Sequence, residues 1–321
     1  MSIAFVFPGQ GSQSVGMGMS LAKAFPSARA ALDEADAALG GGLLRLLAEG
    51  PEEELKQTAN TQPAILAVSI AAHRAFVEAL AEKFGDKARA ANFASAYAGH
   101  SLGEYSALVA AGSLALGDAV RAVRARGTFM QEAVPAGEGA MAAILSLSRE
   151  EVLAACAEAS QDGQLVSAAN FNSPEQTVIA GHAPAVERAI AGCKARGARR
   201  AMPLPVSAPF HCALMAPVQP RLAEVLGKLA LAESRAPIFA NVTAQPNSDP
   251  EKIVPLLIEQ VVAPVRWVET VEALVKAGVD TLIELGPGKV LQGLARRLDK
   301  SVRAVSVEDE KSLREALGLF A

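Results

Sequence analysis

A change of rhythm between residues 140 and 206 constrains the fold of this chain more than any other feature of its sequence. Within that stretch 141–147 reads as a strand and 149–159 as a helix. Residues 165–171 and 176–180 read as strands joined by Asn172-Ser173-Pro174-Glu175. A helix with proline near its start covers 184–196, and a last strand covers 198–205. The order βαββαβ is the ferredoxin-like arrangement. Pro135-Ala136-Gly137 and Pro203-Leu204-Pro205 flank it and suit linkers. Outside it the chain alternates. Strands are expected at 3–7, 93–98, 238–242 and 281–285. Helical patterns cover 17–39, 51–57, 62–84, 104–111, 117–133, 214–230, 250–260, 266–277 and 289–299. Such βα alternation implies a parallel sheet. The expected architecture is therefore a large α/β-hydrolase-like domain, residues 1–136 and 205–321, interrupted by a small ferredoxin-like subdomain, residues 137–204.

Composition narrows the function classes. Hydrophobic residues make up 51% and charged residues 20%, a globular rather than disordered balance. The formal net charge of −4 disfavours a nucleic-acid partner. Cys156, Cys193 and Cys212 are an odd, sparse set without CxxC spacing, so reduced thiols are expected and no metal. The N-terminal apolar run lacks a positive n-region and stops at Pro8-Gly9, too soon for a signal peptide. The longest later apolar run, 64–72, meets His73 and Arg74, short of the roughly 20 residues that span a bilayer. A cytoplasmic location without membrane attachment is the expectation.

Gly99-His100-Ser101-Leu102-Gly103 fits G-x-S-x-G between an expected strand and an expected helix. A sharp turn there exposes the central hydroxyl, and helix N-terminal amides point toward a developing oxyanion. The bland reading is a chance match in a loop. A serine nucleophile needs a base, and only four histidines exist. His100 is inside the turn and His73 in an alanine-rich helix; His182 follows a strand of the insert. His211 lies in the irregular loop Pro205-Val206-Ser207-Ala208-Pro209-Phe210, where loops on a rigid scaffold often carry chemistry. It is the candidate base, against an ordinary loop histidine. Asp118 and Asp162 fall between Ser101 and His211, yet neither follows an obvious sheet strand, so a carbonyl could orient the imidazole instead.

The helix 117–133 carries one discordant residue. Ala119, Ala122, Val123, Phe129 and Met130 form an apolar stripe, and Arg126 falls on it. Arg121 and Arg124 do not. An inward arginine cannot shed its proton and needs an anionic partner. A structural ion pair and a fork for a substrate carboxylate both satisfy that requirement.

Taken in order, Phe7-Pro8-Gly9-Gln10-Gly11-Ser12-Gln13, Gly99-His100-Ser101-Leu102-Gly103-Glu104-Tyr105, Arg126-Gly127 with Met130-Gln131, Asn170-Phe171-Asn172-Ser173-Pro174, Phe210-His211 and Glu284-Leu285-Gly286-Pro287-Gly288 resemble the malonyl-CoA:acyl-carrier-protein transacylases of fatty-acid synthesis over essentially the whole chain. The resemblance implies ping-pong transfer. Ser101 takes the malonyl group from malonyl-CoA with His211 as base, and the phosphopantetheine thiol of holo acyl carrier protein removes it. It further implies an oxyanion hole from the Gln10 and Leu102 amides, a main-chain carbonyl at Gln260 orienting His211, and a malonate carboxylate on Arg126. Gln62 and Asn170 match positions near the pocket. Phe210 matches a position where a bulky ring accompanies malonyl over methylmalonyl selection. One pocket methyl gives about 1–3 kcal/mol of discrimination. No cofactor is implied, and a monomer is expected. An esterase or thioesterase using the same Ser–His pair, and an acyltransferase of a polyketide pathway, are the alternatives. Arg188, Lys194, Arg196, Arg199 and Arg200, with no acid among 188–200, are a candidate docking patch for an acidic carrier, or a solvated helix face.

Overall fold

The structure is a computed structural model that describes residues 1–206 and 208–320; Ser207, in the loop before His211, lies outside the described residues. Among the described residues ten strands form two sheets. The larger holds β1 (Ile3–Phe7), β2 (Ala96–Gly99), β7 (Ile238–Phe239), β8 (Pro246–Asn247), β9 (Thr281–Leu285) and β10 (Arg303–Val307) in the order β10-β9-β1-β2-β7-β8. All its neighbours run parallel except β8, which is antiparallel to β7. The smaller holds β3 (Gly139–Leu145), β4 (Val166–Ser173), β5 (Gln176–His182) and β6 (Arg200–Pro203) in the antiparallel order β4-β5-β3-β6. That strand order, with helices Arg149–Ala159 and Ala183–Ala195 as crossovers, is the ferredoxin-like arrangement. Mixed α/β architecture with a parallel core and a small antiparallel sheet is thus what the alternation of patterns implied.

A parallel sheet must be covered on both faces, and this one is. Phe5, Phe7 and Tyr97 face the helices on one side, with Leu66, Phe76 and Leu108. Ala4, Val6 and Ala98 face the other, against Trp267, Val271 and Leu294. The small sheet divides likewise. Ala142, Ile144 and Ile179 pack under its two helices, with Val152, Cys156 and Cys193. Met141, Ala143, Val178 and Ala180 join the large core. The second face of the small sheet therefore becomes one wall beside the large sheet. Backbone bonds stitch the two together, Phe171 N–H to Val265 O at 2.9 Å and Val265 N–H to Ala169 O at 2.9 Å.

Several boundaries differ from the sequence expectation. β2 begins at Ala96, not 93, because Phe93 packs edge-on against Phe320 at 4.9 Å rather than entering the sheet. β4 runs through to Ser173 with bulges near Ala168/Asn170 and Phe171/Ser173, so the turn tightens to Pro174-Glu175. β10 and the helix Glu310–Leu317 had no counterpart in the sequence reading. The helix Thr58–Phe84 is long and apolar enough to cross a membrane, which corrects the expectation that none would be. His73 does not break it, being buried edge-on to the rings of Phe5 and Phe7. Its most apolar window is 78% buried, so the helix is the central core helix of the large layer.

Candidate active site

Ser101 sits on the turn between β2 and the helix Gly103–Ala110. Its φ is +52°, left-handed backbone that costs a non-glycine residue about 1–3 kcal/mol. The glycines on either side explain how the turn closes. A Cβ on Gly99 would lie 2.0 Å from the Gly103 carbonyl, and one on Gly103 would lie 2.1 Å from Phe7 O. Asn241, two residues beyond β7 and fully buried, staples the turn. Its Oδ1 accepts from Ser101 N–H at 2.6 Å and its Nδ2 donates to Gly99 O at 2.6 Å.

His211 also adopts left-handed φ, +59°, and is buried. Its Nε2 lies 2.7 Å from Ser101 Oγ, and its Nδ1 lies 2.8 Å from the main-chain carbonyl of Gln260. A carbonyl can only accept, so Nδ1 carries the proton and Nε2 is left to accept from the serine hydroxyl. Burial first, and then the nearby Arg126 cation, pushes the imidazole down to about 3. It is neutral at pH 7. The other histidines are engaged with other partners, although His100 also lines the cleft. His100 turns away to Asn172 Oδ1 at 2.8 Å, and His182 Nδ1 accepts from Leu165 N–H at 2.9 Å. Asp118 pairs with Arg121 on the surface, and Asp162 lies in a turn of the small unit, so neither stands behind His211.

Arg126 is buried on the inward face of the helix Leu116–Glu132, while Arg121 is exposed. Nη1 donates to Gln62 Oε1 at 2.8 Å. Nη2 donates to Gln260 Oε1 at 2.9 Å and Ser101 Oγ at 3.1 Å. These partners are uncharged, and Nε has none among the described residues. Among the described residues no carboxylate bonds the guanidinium directly; the Glu104 carboxyl is reached only through the Gln260 amide. Gly127 sets its depth: a Cβ there would meet Thr58 O at 2.6 Å, so the two helices touch beside Gln62.

Gln10, Gln62, Ser101, Leu102, Arg126, Asn170, Phe210 and His211 all line one cleft of about 840 Å³. Gln260 lies behind it, fully buried. The main-chain N–H groups of Gln10 and Leu102 make no hydrogen bond among the described residues, which leaves them free to meet an oxyanion. Sequence reasoning gave no part to Asn241, nor to Glu104 beyond its place in the motif. Burial pushes the Glu104 carboxyl up to about 7, against the Asn241 N–H and Gln260 hydrogen bonds and the Arg126 charge. Of the basic cluster 188–200, Arg188 is bound to Ala159 O and Gln164, and Arg196 to Glu151 and Glu158. Lys194, Arg199 and Arg200 stay exposed.

A pre-aligned serine, a neutral imidazole and a cation within one cleft can hold an acyl group as an ester while its carboxylate end is fixed. The class this defines is an α/β acyltransferase. The family model for the acyl transferase domain matches residues 4–314, and the chain belongs to that family. The malonyl CoA-acyl carrier protein transacylase of Escherichia coli K12 is 48% identical over 316 residues, covering 98% of this chain and 99% of that protein. The crystal structure of an acyl carrier protein S-malonyltransferase from Vibrio cholerae is 47% identical with a TM-score of 0.91, covering 98% of this chain and all of that one. A malonyl-transacylase in complex with its type II PKS acyl-carrier protein is 48% identical with a TM-score of 0.92, covering 99% and 100%.

Proposed function

We propose that this protein transfers the malonyl group from malonyl-CoA to the phosphopantetheine thiol of acyl carrier protein, in fatty-acid biosynthesis. Ser101 Oγ attacks the thioester carbonyl while its proton passes to His211 Nε2. The oxyanion is met by the Gln10 and Leu102 amides. Collapse releases the coenzyme A thiol, which takes the proton from His211. In the second half the carrier thiol gives its proton to His211 and attacks the malonyl ester, and collapse returns the proton to Ser101 Oγ. Arg126 binds the free carboxylate throughout, with Gln62 beside it, and Gln260 O keeps Nδ1 protonated. Asn170 and Phe210 shape the acyl pocket. The Phe210 ring sets malonyl above methylmalonyl by about 1–3 kcal/mol.

The observation that carries this reading is the buried Arg126 beside Ser101 Oγ, whose direct hydrogen-bond partners among the described residues are all uncharged, the Glu104 carboxyl being reached only through the Gln260 amide. A site for uncharged esters has no use for a desolvated cation at that point. We further infer that the chain divides into 1–136 with 205–321 and 137–204, acts as a monomer, and works in the cytoplasm. Few large apolar side chains are exposed among the described residues, Val15, Leu153 and Val290 being three of them, which supports the monomer. Mass spectrometry after malonyl-CoA, and again after holo carrier protein, tests the function. A malonyl adduct on Ser101 that the carrier removes is expected. An adduct that water clears equally fast with or without the carrier would make the protein a thioesterase.

A further inference from the structure

Behind the cleft, one carboxylate oxygen touches two residues that hold the reacting groups, Asn241 and Gln260. Glu104 is buried on the first turn of the helix that follows Ser101. Its Oε2 accepts from Asn241 N–H at 3.0 Å and from Gln260 Nε2 at 2.8 Å. The same Nε2 also donates to Ser101 O at 3.0 Å. The side-chain amide of Gln260 thus has its nitrogen facing oxygens and its oxygen facing the Arg126 guanidinium at 2.9 Å. A flipped amide would set an N–H donor against the Nη2 donor and a carbonyl against the carboxylate. Only one orientation is satisfied, and Glu104 selects it.

We propose that Glu104 is a positioning residue for the transfer reaction: by fixing the Gln260 amide and the Asn241 backbone, it sets Arg126 against the acyl carboxylate and His211 against Ser101. Gln260 links the two. Its side-chain oxygen anchors Arg126 and its main-chain oxygen anchors His211 Nδ1. Asn241, whose N–H is held by Glu104, staples the strained serine. Geometry rather than charge is the requirement. Both donors converge on a single oxygen, and the carbonyl oxygen of glutamine can accept both. The charged and titratable groups that face Glu104 are Arg126 and the Tyr105 phenol.

The inference rests on the function proposed above, and its test separates the two. Glu104→Ala and Glu104→Gln are compared with the unaltered protein in three rates: acylation of Ser101 by malonyl-CoA, acylation by acetyl-CoA, and labelling of Ser101 by a neutral sulfonyl fluoride. In Glu104→Ala the malonyl rate is expected to fall on the order of 10–100-fold, as when a residue orienting a functional ligand is lost. The acetyl rate falls less, because Arg126 loses its anchor as well as His211. Sulfonyl labelling falls with the acetyl rate. Glu104→Gln restores all three to within a few-fold. Equal losses for malonyl and acetyl in Glu104→Ala would overturn the proposal, since Arg126 would then be placed without Glu104. So would a Glu104→Gln protein as impaired as Glu104→Ala, which would make the charge essential. If the unaltered protein takes no malonyl group, the proposed function fails, while the labelling rates still decide whether Glu104 positions the Ser–His pair.

Discussion

At the carboxyl ends of the large sheet's strands lie Gln10 after β1, Ser101 after β2 and Asn241 after β7. The small sheet brings Met141 on β3, Asn170 on β4 and Leu204 after β6 to the same cleft. The first set is polar; Ser101 and the buried Asn241 are hydrogen-bonded into one network with Arg126, His211 and Gln260, and Gln10 stands beside it with its side chain on Thr58. The second is a mostly apolar wall in which Asn170 is the polar exception. Parallel strands end together, so their loops converge where helix N-termini also point. An antiparallel sheet offers a face instead. Chemistry is thus expected on one side of the cleft and shape on the other.

Ser101→Ala breaks the comparison most directly. The malonyl adduct should vanish and transfer should fall by about 10⁴-fold or more, with malonyl-CoA binding kept. An adduct that persisted on another residue would move the chemistry off the large sheet. Arg126→Ala comes next. Transfer of a carboxylate-bearing acyl group should lose about 2–5 kcal/mol, and acetyl transfer much less. The same substitution has a pH signature. Arg126 is the second cause, after burial, of the low His211 value near 3. Without the cation, the acid limb for sulfonyl labelling of Ser101 should rise from about 3 toward the ordinary 6.5, held below it by the remaining burial. An unmoved acid limb would show that His211 does not govern the nucleophile.

Much of this contrast was legible in the sequence. Ile3–Phe7 and Thr281–Leu285 read correctly as strands because a strand buried on both faces is a short continuous apolar run. Arg149–Ala159 and Pro250–Gln260 are the helices their patterns implied, and the structure shows a capping Ser148 at the start of one and Pro250 at the start of the other. Ser101 and Arg126 announced themselves locally, one by glycine spacing and the other by breaking a stripe. Glu104 and Asn241 did not. Asn241 reaches Ser101 across 140 residues, and neither sits in a pattern that periodicity detects. Polar partners of a buried network are chosen by geometry that only the folded chain creates. β10 was missed for a different reason: Arg303 and Ser306 interrupt its apolar signal at the sheet edge.

A smaller effect is expected from the wall. Asn170→Ala should raise KM for malonyl-CoA a few-fold and leave kcat nearly unchanged, the loss of about one ordinary hydrogen bond. A hundredfold fall in kcat would place the small sheet in the chemistry and dissolve the division of labour.

The smallest effect concerns how the two sheets are held together. Arg149, which starts the first helix of the small unit, grips Glu269 beneath the large sheet at 2.7 and 3.2 Å and stacks on Phe171 at 3.9 Å. Burial pushes the Glu269 carboxyl up, but hydrogen bonds from Arg149, its own backbone and Arg266 outweigh it, and the carboxyl lies below its ordinary value. A lowered carboxylate stabilises the fold above its unfolded value and loses that contribution as pH falls through the folded one. Arg149 is about a third exposed and Glu269 a fifth, so solvent screens the pair. Glu269→Gln should therefore cost about 0.5–1 kcal/mol in urea unfolding at pH 7, and the difference from the unaltered protein should vanish in acid. A cost that persists in acid would assign the contact to packing on Phe171. A fall in kcat at unchanged stability would show that the wall's exact seating, and not only its presence, shapes the reaction.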